Sequence, residues 1–131
     1  MNELKYPSKE TINKLTRDLE LIGAHEFTQD WEYEVADYKQ LARYIEYYEG
    51  SNLNTNEKTT LMRIILEAYN DYVVMENQYD SYGAVIKKFL EQDYSIYTEI
   101  IQYWACEGEE LEDCFAITSF MRKVRKTQIS H

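Results

Sequence analysis

The stretch at residues 59–76 reads TTLMRIILEAYNDYVVME and decides the fold. Its apolar residues follow two adjacent helical faces, one through Leu61 and Ile65 and the next through Met62 and Leu66. The polar residues form one narrow strip of Arg63, Glu67, Asn70 and Asp71. A helix that is apolar on most sides is normally buried among other helices. The stretch therefore predicts a central helix with the rest of the chain packed around it.

Capping patterns place further helices on both sides of this central one. The predicted starts are Ser8, Asp37 with Gln40, Asn54 with Glu57, Asp80 or Ser81, Ser95, and about Ser119. Gly23 and Gly50 mark the predicted ends of the first two helices. Two short pieces read as extended, Trp31-x-Tyr33-x-Val35 by its alternation and residues 114–117 by their apolar run. We predict an all-α fold, a single compact domain over residues 1–131 of about six helices with little or no strand.

The chain is strongly acidic, with a formal net charge of −10 over 131 residues. Four of the 14 basic residues fall in the last ten positions, so residues 1–121 carry all 24 acidic residues against ten basic ones. A protein with this excess of negative charge should repel nucleic acid and anionic membranes. The charge either complements a basic protein partner or serves only to keep the protein soluble. The basic end, Arg122 to Lys126, is predicted to complement the C-terminus of the last helix.

Cys106 and Cys114 are the only cysteines, and no secretion signal precedes them. Two thiols in this context predict a reducing compartment, so we expect a cytoplasmic protein. The two cysteines could act as a redox pair or as nucleophiles, but acidic neighbours raise the pKa of a thiol and disfavour thiolate chemistry. The favoured prediction is therefore two free, buried or half-buried thiols. The loop between them, residues 107–113, holds five acids and either extends a binding surface or is an ordinary loop.

Candidate catalytic and metal sites are scarce. Only His25 is placed to act as an ordered histidine, and no phosphate-binding glycine loop or paired histidine motif occurs. Glu67 and Asp71 lie four residues apart on the polar strip, where two carboxylates can share acid–base work or simply face solvent. We predict no catalytic residues, no cofactor and no metal site, and therefore no enzyme.

An acidic aromatic segment, residues 26–49, holds seven acids against Lys39 and Arg43, interleaved with tyrosine, tryptophan and phenylalanine. Tyrosine and tryptophan are favoured interface anchors, and acids around them speed the capture of a basic partner. The other interpretation is that the aromatic residues are core and the acids their solvated rim. The predicted partner-binding residues are Trp31, Glu32, Glu34, Asp37, Tyr38 and Tyr47.

Three stretches give the chain a resemblance to a known group: TQDWEYEVADYKQLARYIEYYEG at 28–50, LMRIILEAYNDYV at 61–73 and IQYWACEGEELEDCFAITSFMRK at 101–123. In their acidic, tyrosine-rich helical style they resemble the small immunity proteins that bacteria encode beside polymorphic or contact-dependent toxins. The resemblance implies a protein that neutralises a basic toxin, often a nuclease, by covering its active site or a nearby surface. It implies no catalytic residues.

The leading hypothesis is a cytoplasmic, non-enzymatic protein that masks a basic protein partner, with no nucleic-acid or membrane partner. Three alternatives stay open. A nucleic-acid mimic of phage type would compete with DNA for its partner, and a structural or regulatory protein would form a helical homodimer. An enzyme using Glu67 and Asp71 would need both carboxylates to line a pocket.

Overall fold

The computed structural model describes residues 7–21, 31–76 and 80–129. Within them the secondary structure is helical and holds no strand, which confirms the predicted all-α fold. The helices are α1 (Lys9–Leu19), α2 (Trp31–Val35), α3 (Leu41–Gly50), α4 (Thr55–Glu76), α5 (Asp80–Gln92), α6 (Tyr94–Ala105) and α7 (Thr118–Ile129). Two short 3-10 helices, Tyr38–Gln40 and Leu111–Asp113, precede α3 and α7.

The stretch around residues 59–76 forms most of α4, and most of its side chains are buried. Leu61, Met62, Ile64, Ile65 and Leu66 have no solvent exposure. Burying one such side chain contributes about 1.5–3 kcal/mol relative to leaving it in water. The prediction of a buried helix at this position is therefore confirmed.

Contacts along the chain group into two compact units, Met1–Ala68 and Tyr69–His131, and α4 contributes residues to both. The first unit contains α1, α2, α3 and the first part of α4. Its core is built from Leu15, Leu19, Trp31, Val35, Leu41, Tyr44, Ile45 and the buried residues of α4 between Thr59 and Ala68. The second unit contains the end of α4 with α5, α6 and α7, and α6 and α7 make its most extensive helix contact.

Two predicted helix starts in the first unit are confirmed by their hydrogen bonds. Ser8 Oγ accepts from Thr11 N at 3.1 Å and so caps α1. Asn54 Oδ1 accepts from Glu57 N at 2.8 Å, while Glu57 Oε1 accepts from Asn54 N at 2.9 Å. This reciprocal capping box satisfies two amides that the first turn of a helix leaves without partners.

The end of α1 was predicted too late in the chain. The helix stops at Leu19, and Glu20 adopts a left-handed conformation with φ of 54°. Leu21 N donates back to Thr16 O at 3.2 Å, which closes the helix with a backbone cap. Because Leu21 is buried, the turn at Glu20 carries that side chain into the core. Gly23, the predicted stop, lies outside the described residues.

The two segments predicted as extended are not strands. Residues 31–35 form α2, because Trp31 and Val35 are one helical turn apart and both are buried. Trp31 and Val35 also share one side of an alternating five-residue segment. The sequence pattern therefore fits the two-residue repeat of a strand as well as the 3.6-residue repeat of a helix. Residues 114–117 form an irregular turn before α7.

In the second unit, Gly83 allows a close approach between α5 and α4. A Cβ atom at this position would lie 2.7 Å from the hydroxyl oxygen of Tyr69, whose side chain is fully buried. The Tyr69 ring also makes an edge contact with Phe120 at a centroid distance of 5.4 Å. A glycine is needed because a buried ring held in this way has little room to shift.

Candidate protein-binding surface

The six predicted partner-binding residues fall into three environments in the first unit. Glu34 and Asp37 are exposed, whereas Glu32, Tyr38 and Tyr47 are half-buried. Trp31 is only 2% exposed and belongs to the core. Its place in the core means that Trp31 supports the surface from beneath rather than touching a partner. The residues numbered 26–30 in the acidic aromatic segment lie outside the described part of the chain.

The junction between α2 and α3 is fixed by local hydrogen bonds. Asp37 Oδ1 accepts from Lys39 N at 3.0 Å, so this carboxylate caps the 3-10 helix that leads into α3. Asp37 N donates to the hydroxyl oxygen of Tyr44 at 3.1 Å, and Tyr44 is 1% exposed. Burial raises the pKa of Tyr44, so its hydroxyl stays protonated. The backbone that carries Asp37 is therefore anchored directly to the core.

Tyr47 is occupied by an internal contact. Its hydroxyl donates to Asp18 Oδ2 on α1 at 2.6 Å. This bond lowers the pKa of Asp18, and the Arg17 guanidinium at 3.1 Å adds to the effect. Desolvation by burial and then the bond to Asp18 raise the pKa of Tyr47. Tyr47 thus ties α3 to α1, and its side chain is half-buried rather than fully available to a partner.

Substituting Tyr47→Phe should raise the pKa of Asp18 toward its ordinary value of 3.8. The folded-state pKa is the lower one, so the stabilisation exists above the unfolded-state pKa and is lost as the pH falls through the folded-state value. The variant should therefore lose stability relative to the parent near neutral pH, with the difference shrinking in acid. Carboxyl-carbon NMR titration of Asp18 measures the shift.

Tyr38→Phe is the matched control for this titration. It removes the same hydroxyl from a half-buried tyrosine of the same unit. The pKa of Asp18 should stay where it is in the parent. An equal shift in both variants, or none in Tyr47→Phe, would contradict the assigned bond.

The outer side of α3 carries carboxylates without internal partners. Glu46 and Glu49 are exposed, and within the described residues neither makes a hydrogen bond or an ion pair. The nearby base Arg43 is already engaged, because its Nη2 lies 2.8 Å from Glu20 Oε1. This face therefore keeps its negative charge. We call the set Glu32, Glu34, Asp37, Glu46 and Glu49 the acidic face of the first unit. Glu32 and Glu34 take part in interactions inside the structure and Asp37 is a cap, so Glu46 and Glu49 are its carboxylates without a partner among the described residues.

The second unit presents a separate acidic loop, residues 107–113, and here the cysteine prediction was wrong. Cys106 and Cys114 form a disulfide that closes the loop, and no free cysteine remains. Cys106 follows α6 in a left-handed conformation with φ of 52°, and Gly108 has φ of 87°. The predicted free thiols rested on the acidic neighbours of the two cysteines, whereas the fold turns the chain back so that the two sulfur atoms meet.

Arg122 also acts differently from the prediction. Its guanidinium donates to the carbonyl oxygens of Ala105, Cys106 and Glu109 at 2.7, 2.7 and 2.9 Å. It therefore caps the end of α6 rather than the end of its own helix α7, because its long side chain crosses between the two packed helices. Arg125 pairs with Glu107 at 3.1 Å, and Lys126 alone of these lies in the last turn of α7.

The polar strip of α4 has at least one structural role. Asn70 Oδ1 accepts from Ile117 N at 3.1 Å, directly before α7 begins. Asp71 is exposed, and partial desolvation raises its pKa. Glu67 is half-buried in the first unit. The hypothesis that Glu67 and Asp71 act as a catalytic pair stays a prediction.

The described residues contain no group of three or more histidine, cysteine or acidic side chains arranged to hold a metal ion. His25 and His131 lie outside this part of the chain. None of the helices in this part of the chain combines the length and the apolar character needed to cross a bilayer.

Comparison with known proteins yields no relative. No family model, curated protein or solved structure matches the chain. The class that the fold defines is an all-α protein, with exposed carboxylates on α3 of its first unit.

Proposed function

We propose that the protein is a cytoplasmic, non-enzymatic inhibitor that binds and neutralises a basic protein partner. The mode of action would be that of an immunity protein, in which one protein covers the active site of a toxin or a surface beside it. A nuclease toxin is a suitable partner, because a surface that binds nucleic acid is basic.

The observation that carries the proposal is the pair of exposed carboxylates on α3, Glu46 and Glu49, which have no partner among the described residues. Glu46 and Glu49 are spaced i, i+3 on α3, and like charges at this spacing repel each other. Neither carboxylate has a compensating bond inside the described structure. A basic partner would relieve the repulsion, and complementary charge would raise the rate of its association.

The scaffold beneath this face lowers the entropic cost of binding. α2 is anchored by Trp31 and Val35, and Asp37 is tied to the buried Tyr44. Side chains on a backbone that is already fixed lose less freedom when a partner docks. Trp31 therefore contributes by holding Glu32 and Glu34 in position on α2.

The first test is capture of the partner. The immobilised protein is exposed to lysate of the source organism at low salt and again at high salt. We expect one basic protein to bind in stoichiometric amount and to be released as the salt rises, because screening weakens exposed charge pairs. The purified partner should lose its own activity when this protein is added in equimolar amount. A captured protein whose activity is unaffected would contradict the inhibitor proposal.

The second test removes charge from the acidic face while keeping its shape. Glu32→Gln, Glu34→Gln and Asp37→Asn are combined, since asparagine can still act as a helix cap. We expect the association rate with the captured partner to fall on the order of tenfold at low salt, with a shallower salt dependence. Stopped-flow or surface-based kinetics measures both.

A control variant removes the same charge elsewhere. Glu10, Glu76 and Glu99 are exposed and lie on α1, the end of α4 and α6. Their replacement by glutamine should change the association rate far less. Equal effects in the two triple variants would show that only net charge matters, and the acidic face would then not be the binding surface.

A further inference from the structure

The disulfide-closed loop is held to the rest of the second unit unevenly. Its first half is tied to α7, since Glu107 pairs with Arg125 at 3.1 Å and Glu109 O accepts from Arg122 at 2.9 Å. Glu109 N also donates to Cys106 O at 3.3 Å. These bonds do not involve either sulfur atom, so they do not need the disulfide.

The second half of the loop, residues 110–113, has no such tie. Asp113 N donates to Glu110 O at 2.9 Å and Cys114 N donates to Leu111 O at 3.1 Å, and both bonds are local. No hydrogen bond or ion pair joins residues 110–113 to the described helices. All four side chains are exposed, including the apolar Leu111 at 53%. Residues 110–113 are therefore held only through their ends, by Glu109 on one side and on the other by Cys114 with its disulfide and by Phe115.

We propose that the Cys106–Cys114 disulfide is a redox-sensitive latch that fixes residues 110–113 when oxidised and releases them when reduced. The inference rests on the cytoplasmic location in the proposed function. In a reducing compartment a disulfide is usually transient rather than a permanent staple. The latch controls whether three carboxylates, Glu110, Glu112 and Asp113, are presented in one fixed arrangement.

The side chains around the disulfide favour attack by an external thiolate on one of its two sulfur atoms. Arg122 Nη2 lies 3.9 Å from Cys114 Sγ, and a neighbouring cation favours the thiolate form of a cysteine. Cys114 is therefore the better leaving group when an external thiolate attacks Cys106 Sγ. Both cysteines are half-buried rather than enclosed, so a small dithiol can approach them.

The reaction consumes one molecule of a dithiol reductant. Its first thiolate forms a bond to Cys106 Sγ, the Cys106–Cys114 bond breaks, and Cys114 leaves as a thiolate that takes up a proton. The second thiol of the reductant loses its proton and attacks the mixed disulfide, and Cys106 leaves and is protonated. The protein gains two electrons and two protons, and the reductant becomes a cyclic disulfide.

The helices beside the loop keep independent ties after reduction. Thr118 Oγ1 donates to Trp104 O at 2.9 Å, and Arg122 holds the carbonyl oxygens of Ala105 and Cys106. Phe115 packs on Trp104 with ring centroids 4.6 Å apart. Reduction of the disulfide therefore frees only the loop and leaves α6 and α7 packed, as a switch requires.

The test is amide hydrogen exchange on the full chain, before and after dithiothreitol, with mass spectrometry of alkylated thiols to verify reduction. The amides of Asp113 and Cys114 should exchange about tenfold faster once reduced, while those of Ile65 and Ile101 stay within about twofold. The double variant Cys106→Ser with Cys114→Ser should match the reduced protein and not respond to dithiothreitol. A glutathione buffer at the cytoplasmic ratio should open the bond.

Three results would overturn the latch. Loop exchange that is unchanged after verified reduction would show that other contacts hold the loop. Faster exchange throughout α6 and α7 would make the disulfide a structural staple of the unit. A bond that glutathione cannot open would make it permanent. The assay needs no partner, so its failure leaves the proposed partner binding untouched, and a failed capture leaves the exchange result standing.

Discussion

Replacing Trp31 by alanine should destabilise the protein by about 3–5 kcal/mol. The side chain is 2% exposed in the core of the first unit, so truncation removes a large apolar surface and leaves a cavity. Val35, one turn further along α2, loses its neighbour on the buried side of a helix of only five residues. Such a short helix depends on tertiary packing for its stability. Urea unfolding followed by circular dichroism measures the loss.

The variant Trp31→Phe tests whether Trp31 supports the binding surface from the core or contacts the partner directly. Phenylalanine keeps an aromatic ring in the core, so we expect it to destabilise the protein much less than alanine does. Under conditions where the variant is fully folded, its affinity for the basic partner should equal that of the parent. An affinity loss in Trp31→Phe without a change in unfolding would place Trp31 in the interface and contradict its assignment to the core.

Replacing Arg122 by methionine should cost about 2–4 kcal/mol. Methionine keeps the apolar stem of the half-buried side chain but removes the donors to three carbonyl oxygens. Two of these carbonyls, from Ala105 and Cys106, belong to the end of α6, where no further turn of helix can satisfy them. Hydrogen bonds from a charged donor are among the stronger ones, although partial exposure lets water replace some of them. Thermal and urea unfolding both report the change.

Arg125→Met is the matched comparison, three residues further along the same helix. The guanidinium of Arg125 meets one carboxylate, that of Glu107, in a partly exposed pair. Exposed ion pairs contribute about 0–1 kcal/mol, so this variant should stay within that range. If both variants lost the same stability, the cap on α6 would contribute nothing beyond ordinary surface charge.

Local patterns in the sequence predicted the starts of α1 and α4, whereas the cap predicted at Ser95 was wrong, because α6 already begins at Tyr94. Ser8 with Thr11, and Asn54 with Glu57, are partners three residues apart, so one turn of chain brings them together. The buried stretch of α4 was equally readable, because its apolar residues cover most of the helix circumference. Asp37 was recognised as a cap, although its carboxylate bonds Lys39 N in a 3-10 turn before α3.

The errors arose where a local pattern admits two structures or where the partner is distant in the chain. Trp31, Tyr33 and Val35 fit an alternation, yet Trp31 and Val35 also share a helical face, and burial of both selected the helix. The hydrogen bond between Asn70 and Ile117 joins residues 47 positions apart, and no sequence spacing predicts it. The exposure of Glu34 and Asp37 and the burial of Trp31 were likewise decided by tertiary packing.

By itself the sequence determined the helical class, the buried stretch of α4, the caps at Ser8 and Asn54 and the acidic charge. Each depends on composition or on residues within one helical turn. Only the tertiary structure decided that Cys106 meets Cys114 and that Arg122 caps α6. These outcomes depend on where packed helices bring distant atoms, because sulfur and guanidinium groups act only over a few ångströms and sequence order does not fix that distance.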